Sequence, residues 1–167
     1  MDTDSTEPRF MADCMLGRLA KWLRVLGYDV AYDRRISDDD LIARAVNEQR
    51  IVLTRDIRLA RRRAMRRAAC APILIVSDQP GEQLVQMVQQ HGLAVRPDRL
   101  LTRCLVCNEP TRAAARESVK ALVPRYVFLT QESFSRCPAC GRIYWRATHV
   151  DSIVQRLERR LGKGSVA

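Results

Sequence analysis

Four cysteines stand in two pairs, Cys104 and Cys107 in CLVC and Cys137 and Cys140 in CPAC, separated by 29 residues. Each spacing forms a tight turn that lets both sulfurs face one ion, and four thiolates at tetrahedral geometry select zinc. Such a set leaves no coordination position open, so the expected site is structural and not catalytic. Two other readings are unligated thiols and a redox dithiol. The doubled spacing argues against the first, and the second is disfavoured because neither pair opens a helix after a strand. Disulfides are not expected either, since the chain starts MDTDSTEPRF, acidic and polar where a secretory peptide is basic and then apolar.

A second chemistry rests on aspartates. Asp13 ends the strand candidate RFMAD, Asp38, Asp39 and Asp40 open a helix after a second strand, and Asp56 follows the apolar run IVLT. In an open α/β sheet, ligands bind beyond the C-terminal ends of the strands, where all three positions map. Carboxylates converging there repel one another unless a hard cation sits between them, and oxygen donors suit Mg²⁺ or Mn²⁺. Such a site activates water and stabilises the charge that develops when a phosphodiester is cleaved. Helix capping competes with this reading. Asp40, three residues after Ser37, has the capping-box position, and Asp13 and Asp56 each precede a helix. Spacing alone leaves both readings open.

Basic residues lie beside the last of these acids. Between Arg55 and Arg67 there are seven arginines and one acid. Arg58, Arg62 and Arg66 fall at i, i+4 spacing, and Arg55, Arg61, Arg63 and Arg67 broaden the stripe. A solvated face is the simpler account of a charge run. So many like charges weaken a helix, which favours a polyanion as the reason for them. Cys14 adjoins Asp13, whose carboxylate raises a neighbouring thiol, so packing is expected for it and not nucleophilic attack. Trp22 and Trp145 are likewise expected in the core.

The elements that must position these groups are read from periodicity. RFMAD, YDVAY, IVLT and APILIV read as strands, with a short strand at LAV. Helices are expected over MLGRLAKWLRVLG, SDDDLIARAVNEQ, Asp56 to about Ala69, and GEQLVQMVQQHG. This alternation implies an α/β fold, an open and mainly parallel sheet with helices on both faces, over residues 9–98. From about residue 99 the pattern changes to cysteine pairs, short aromatic strands at YVFL and RIYW, and a closing helix near VDSIVQRLERRLG. This second part, 99–161, is too poor in apolar side chains for a core of its own, so a metal is its expected staple.

Length and charge bound the rest. The 167 residues, 47% hydrophobic, suffice for one well-cored domain with a small appendage, and the formal charge of +10 favours polyanionic partners, nucleic acid first. No window approaches the roughly 18 consecutive apolar residues of a membrane span, so no membrane partner and a cytoplasmic location are expected.

RFMADCMLGRLAKWLRVLGYD, DDDLIARA, VLTRD, RCLVCN, the Val123–Pro124 pair and CPACGRIYWRATH together resemble the Mut-seven C-terminal RNase-domain family. The resemblance runs from Arg9 to about Leu161. It implies a PIN-like nuclease fold with a C-terminal zinc ribbon, and metal-dependent cleavage of RNA by an acidic cluster. Position by position it implies Asp13, Asp38 and Asp56 as catalytic acids, and Cys104, Cys107, Cys137 and Cys140 as the ribbon's ligands. A fourth acid is ambiguous among Asp39, Asp40 and Asp78, with Asp39 taken into the expected set. Ala147 departs from the family pattern, which has Gly before the Thr-His pair. The expected activity is that of a Mg²⁺- or Mn²⁺-dependent ribonuclease with Arg55, Arg58, Arg62 and Arg66 on the phosphates and structural zinc in the ribbon. RNA, in forms including the ribosome and tRNA, is the expected partner. The alternative is a non-catalytic RNA- or ribosome-binding module on the same scaffold.

Overall fold

The structure is a computed structural model that describes residues 7–63, 71–146 and 148–161. The chain divides into two compact units, residues 1–23 with 28–86, and residues 24–27 with 87–167.

The first unit is built on a four-stranded parallel sheet of β1 (Phe10–Ala12), β2 (Val30–Tyr32), β3 (Ile51–Thr54) and β4 (Ile73–Leu74), in the order β2-β1-β3-β4. Phe10 faces Val30 on one side and Ile51 on the other, and Leu53 faces Ile73. Helices flank the sheet, as its all-parallel connections require. Phe10, Met11 and Ala12 are all buried, which is why β1 reads as an unbroken apolar run without alternation.

A single 3₁₀ turn at Cys14–Leu16 leads into α1 (Gly17–Val25), whose Leu19, Ala20 and Leu23 are buried. Met15 falls outside that face and is 60% exposed. Gly17 is required by packing: a Cβ there would lie 2.7 Å from the Tyr32 hydroxyl oxygen. α2 (Asp38–Asn47) starts at Ser37, whose Oγ accepts from the Asp40 N–H and donates to Asp40 Oδ2, as the capping-box spacing predicts. Its Leu41, Ile42 and Ala45 pack with Met11, Ala31, Val52 and Leu59, each large apolar side chain contributing about 2 kcal/mol by burial. Below β2 and β3, Arg50 is 7% exposed and pairs with Asp29 and Glu48. On β4, the Gln86 amide of α4 (Pro80–His91) donates to the Leu74 carbonyl and accepts from the Val76 N–H. A side chain thus satisfies backbone groups beyond the ladder.

In the second unit, β5 (Arg112–Ala114), β6 (Phe134–Arg136) and β7 (Ile143–Tyr144) form an antiparallel sheet in sequence order. Val119, Val123 and Phe134 form one small core with Val127, Phe128 and Trp145. Val25, Leu101 and Val150 form another, Val150 coming from the closing helix α7 (Thr148–Leu161). α5 (Arg116–Val119) and α6 (Arg125–Thr130) complete the unit.

Three expectations are corrected. YVFL is not a strand: residues 126–129 lie within α6, which starts after Pro124, the Phe128 N–H bonding to the Pro124 carbonyl. Val123 and Val127, at i, i+4, are drawn into one core, and tertiary packing overrides the strand preference of the aromatics. The continuous basic helix from Asp56 is also not formed. α3 spans only Ile57–Ala60 and is capped by Arg61, and the next residue, Arg62, turns its guanidinium to acids of α2. Over residues 93–95 no full strand forms, only a single β-bridge at Val95. Leu93 and Val95 are buried singly after Gly92, whose φ of +64° follows the end of α4. Arg66, Arg67, Cys70 and Ala147 lie outside the described residues.

Candidate metal centres

The strand order β2-β1-β3-β4 means that the chain goes from β1 to one side and then crosses to the other. The C-terminal ends of β1 and β3, where that reversal falls, are the place where open α/β sheets bind ligands. Asp13 follows β1 and Asp56 follows β3 by two residues. Asp13 is 6% exposed, its N–H donating to the Leu53 carbonyl at 2.9 Å, so it extends the β1–β3 ladder by one bond. Thr54, fully buried, ties the two acids together. Its hydroxyl donates to Asp13 Oδ2 at 2.7 Å and accepts from the Asp56 N–H at 2.9 Å.

Asp56 caps α3 through Oδ1, which accepts from the N–H groups of Arg58 at 2.7 Å and Leu59 at 3.3 Å. Capping therefore uses one of its oxygens. Asp38 and Asp39 open α2 and both pair with Arg62, Asp38 Oδ2 at 3.1 Å from its Nη2. Asp39 is the more exposed, with 89% of its side chain open to solvent. Asp40 is spent on the Ser37 cap, and Asp78 accepts from the Gln79 amide.

Cys14 reports on this neighbourhood. Partial desolvation, then a hydrogen bond with Asp13, then the charges of Asp13 and Asp38 raise its thiol above the ordinary value. Its side chain is exposed, contrary to the expected packing role, because the 3₁₀ turn aims Leu16 inward instead. Tyr32, closing β2, donates to the Cys14 carbonyl at 3.1 Å. Of the arginines, Arg58 is exposed, and Arg55 buries its Nε without a hydrogen-bond partner among the described residues.

Oxygen donors of this kind suit Mg²⁺ or Mn²⁺, and Mg²⁺ is commonly held by only one or two carboxylates. The oxygens of Asp13, Asp38 and Asp56 do not all come within 4.8 Å of one another. Thr54 joins Asp13 to the backbone of Asp56, so both acids are anchored at this end of the sheet. Asp38 stands beside them with Arg62 as its counter-ion.

The cysteines are drawn much closer. The four sulfurs all lie within 4.8 Å of one another, with Cys104 to Cys107 at 3.3 Å, Cys107 to Cys137 at 3.4 Å and Cys104 to Cys140 at 3.6 Å. Zinc bonded at about 2.3 Å to each of four sulfurs sets them roughly 3.8 Å apart, so the quartet fits that ion. Two loops of the same design build it. The Cys104 N–H bonds to the Glu109 carbonyl and the Asn108 N–H to the Cys104 carbonyl, and in the second loop Cys137 pairs with Arg142 and Gly141 with Cys137 in the same way. The fifth residue of each loop is left-handed, Asn108 at φ +66° and Gly141 at φ +75°.

Tyr144 completes the site, its Oη 3.1 Å from Cys104 Sγ and accepting from the Leu105 N–H. Burial pushes the Cys104 thiol up, but hydrogen bonds from Cys107, Tyr144 and Val106 outweigh it and bring it down to about 6. Cys107 goes the other way, pushed up to about 12 by burial and by hydrogen bonds to the other three sulfurs. A cation bound here would hold all four sulfurs as thiolates, so its binding would release their protons.

Sequence reasoning missed two positioning groups. Thr54 had a local signal, a hydroxyl two residues before an aspartate. Tyr144 had none, since its reach to Cys104 depends on the pairing of β7 with β6.

A family model described as Mut7-C RNAse domain matches residues 8–157. No curated protein and no solved structure matches the chain. No helix among the described residues is long and apolar enough to cross a membrane.

Proposed function

Because the chain belongs to the Mut7-C RNase domain family, we propose that it is a Mg²⁺- or Mn²⁺-dependent ribonuclease, hydrolysing RNA phosphodiester bonds at the rim of the parallel sheet. The observation that carries this reading is Thr54. Its hydroxyl locks Asp13 and the Asp56 backbone together at the C-terminal ends of β1 and β3. Two carboxylates there are dear to keep unless an ion or a proton uses them.

A hard cation held by Asp13 and Asp56 supplies charge stabilisation at phosphorus and a more acidic water. The chain's own groups do the rest. Thr54 fixes the Asp13 rotamer, and the α3 cap fixes Asp56, so little order is lost when substrate arrives. Asp38 and Asp39, both catalytic candidates, stand at the mouth. Arg55, Arg58 and Arg62 hold phosphate oxygens, and Arg66 is assigned with them from sequence alone. The cysteine quartet takes structural zinc. The proposed compartment is the cytoplasm, where thiols stay reduced, and the RNA forms to test first include tRNA and the ribosome.

Sequencing of RNA ends produced by the wild-type protein and lost in Asp13→Asn tests the reading, giving substrate and cut position together. Retention of cleavage in both Asp13→Asn and Asp56→Asn would refute the assigned site.

One observation favours a second reading, a non-catalytic RNA-binding module. Arg62 occupies oxygens of both Asp38 and Asp39, and the three acids do not converge within 4.8 Å. RNA left intact with Mg²⁺ or Mn²⁺, yet bound with a steep salt dependence, selects that reading.

A further inference from the structure

The antiparallel pairing of β5 with β6 sets Arg112 directly opposite Arg136. Residues opposite each other in such a ladder project from the same face, and like charges there are destabilising. Neither arginine has an acidic partner among the described residues, and both are exposed. A small unit with little core has reason to avoid such a pair unless something outside the chain neutralises it.

The surroundings are shaped to receive a ligand. Both arginines line a cleft of about 440 Å³ whose other walls include Ala113, Ala115, Ser118 and Gly141. Small side chains keep the cleft open. Gly141 lies against Arg136, a Cβ built there standing in ordinary contact, 3.5 Å from the guanidinium. Ser118 is turned away as a donor, its hydroxyl committed to the Ala115 carbonyl at 2.6 Å. The side-chain donors left in the cleft are therefore the two guanidinium forks, which match tetrahedral oxyanions.

We propose that Arg112 and Arg136 form a phosphodiester-binding cleft on the cysteine-bearing unit, gripping the backbone of single-stranded RNA. The identification of the polyanion as RNA rests on the function proposed above. The cross-strand charge pair and the cleft do not depend on it. The competing role is that of counter-ion: a zinc tetrathiolate carries a net charge of −2, and Arg136 adjoins Cys137.

The test uses the zinc-loaded full chain and a fluorescein-labelled single-stranded RNA 20-mer, with no added Mg²⁺ or Mn²⁺, read by anisotropy over a salt series. Arg112→Gln/Arg136→Gln is expected to weaken binding about tenfold or more and to lower the slope of log affinity against log salt by roughly 1.4, the value for two phosphate contacts on a single strand. Zinc content and thermal midpoint are measured on the same samples. Zinc retention equal to wild type, with a midpoint unchanged or raised by the relief of repulsion, is the expected result. Unchanged affinity and slope overturn the proposal, and so does weakened binding that tracks loss of zinc, which assigns the pair to the thiolates. Cleavage with Mg²⁺ is assayed separately. A wild type that never cuts, but whose binding depends on the pair, defeats the nuclease reading and leaves this one standing.

Discussion

The cysteine quartet and the acidic rim reach metal-binding chemistry by opposite routes. Each half of the quartet is a six-residue loop that closes on its own backbone, from Cys104 to Glu109 and from Cys137 to Arg142, so the geometry of each half is local. The rim is assembled from three separate strand ends and helix starts, and its acids are placed by the order β2-β1-β3-β4. The sulfurs have converged to 3.3–3.6 Å, whereas Asp13, Asp38 and Asp56 do not all come within 4.8 Å of one another, each engaged separately by Thr54, Arg62 or a helix cap. Soft ligands that share protons can sit together without a metal. Ionised carboxylates cannot, and they wait on counter-charges.

The contrast is broken most severely by removing zinc. Chelation, or Cys137→Ser, is expected to abolish hydrogen-exchange protection at β5–β7 while β1 and β3 stay protected, because structural zinc contributes on the order of 10 kcal/mol to such small units. Protection retained at β6 after chelation would show that the loops hold without an ion. At the rim, Asp13→Asn keeps the Thr54 hydrogen bond and is expected to cut RNA cleavage by at least about 100-fold, with the thermal midpoint little changed. Asp39→Asn, at the open mouth, is expected to cost less than about tenfold, so the pair of kinetic measurements ranks the acids.

Stability changes sharpen the comparison further. Arg50→Ala leaves Asp29 and Glu48 without the cation between them and is expected to cost about 3 kcal/mol in denaturant unfolding, the low end for a buried pair because Glu48 is partly exposed. Gly141→Ala puts a side chain at φ +75°, for about 1 kcal/mol and a weaker hold on zinc, read by chelator competition. The smallest effect is acidic. Hydrogen bonds from Arg44 and Arg50 hold the Glu48 carboxyl below its ordinary range. Its contribution is therefore complete above the unfolded-state value and is lost as pH falls through the lower folded-state value. Unfolding midpoints across that acid window should fall less steeply in Glu48→Gln than in the wild type.

Reading the sequence recovered the parallel sheet, the Ser37 capping box and the cysteine quartet, because each is written in spacing a few residues long. The break after α3 was not legible, since a run of arginines looks helical by periodicity until Arg62 finds Asp38 and Asp39, more than twenty residues earlier in the chain. The same holds for residues 126–129, whose aromatics suit a strand until Val127 is claimed by Val119 and Val123.

By itself, then, the sequence determined which atoms are available: four thiols in two self-closing loops, acids at the ends of apolar runs, and an excess of arginine. Tertiary structure alone decided which of them meet. Thr54 reaches Asp13 across the β1–β3 register, and Arg112 faces Arg136 through the β5–β6 register. Strand pairing joins residues tens of positions apart through backbone hydrogen bonds that carry no side-chain signature, so spacing in the chain holds no record of it.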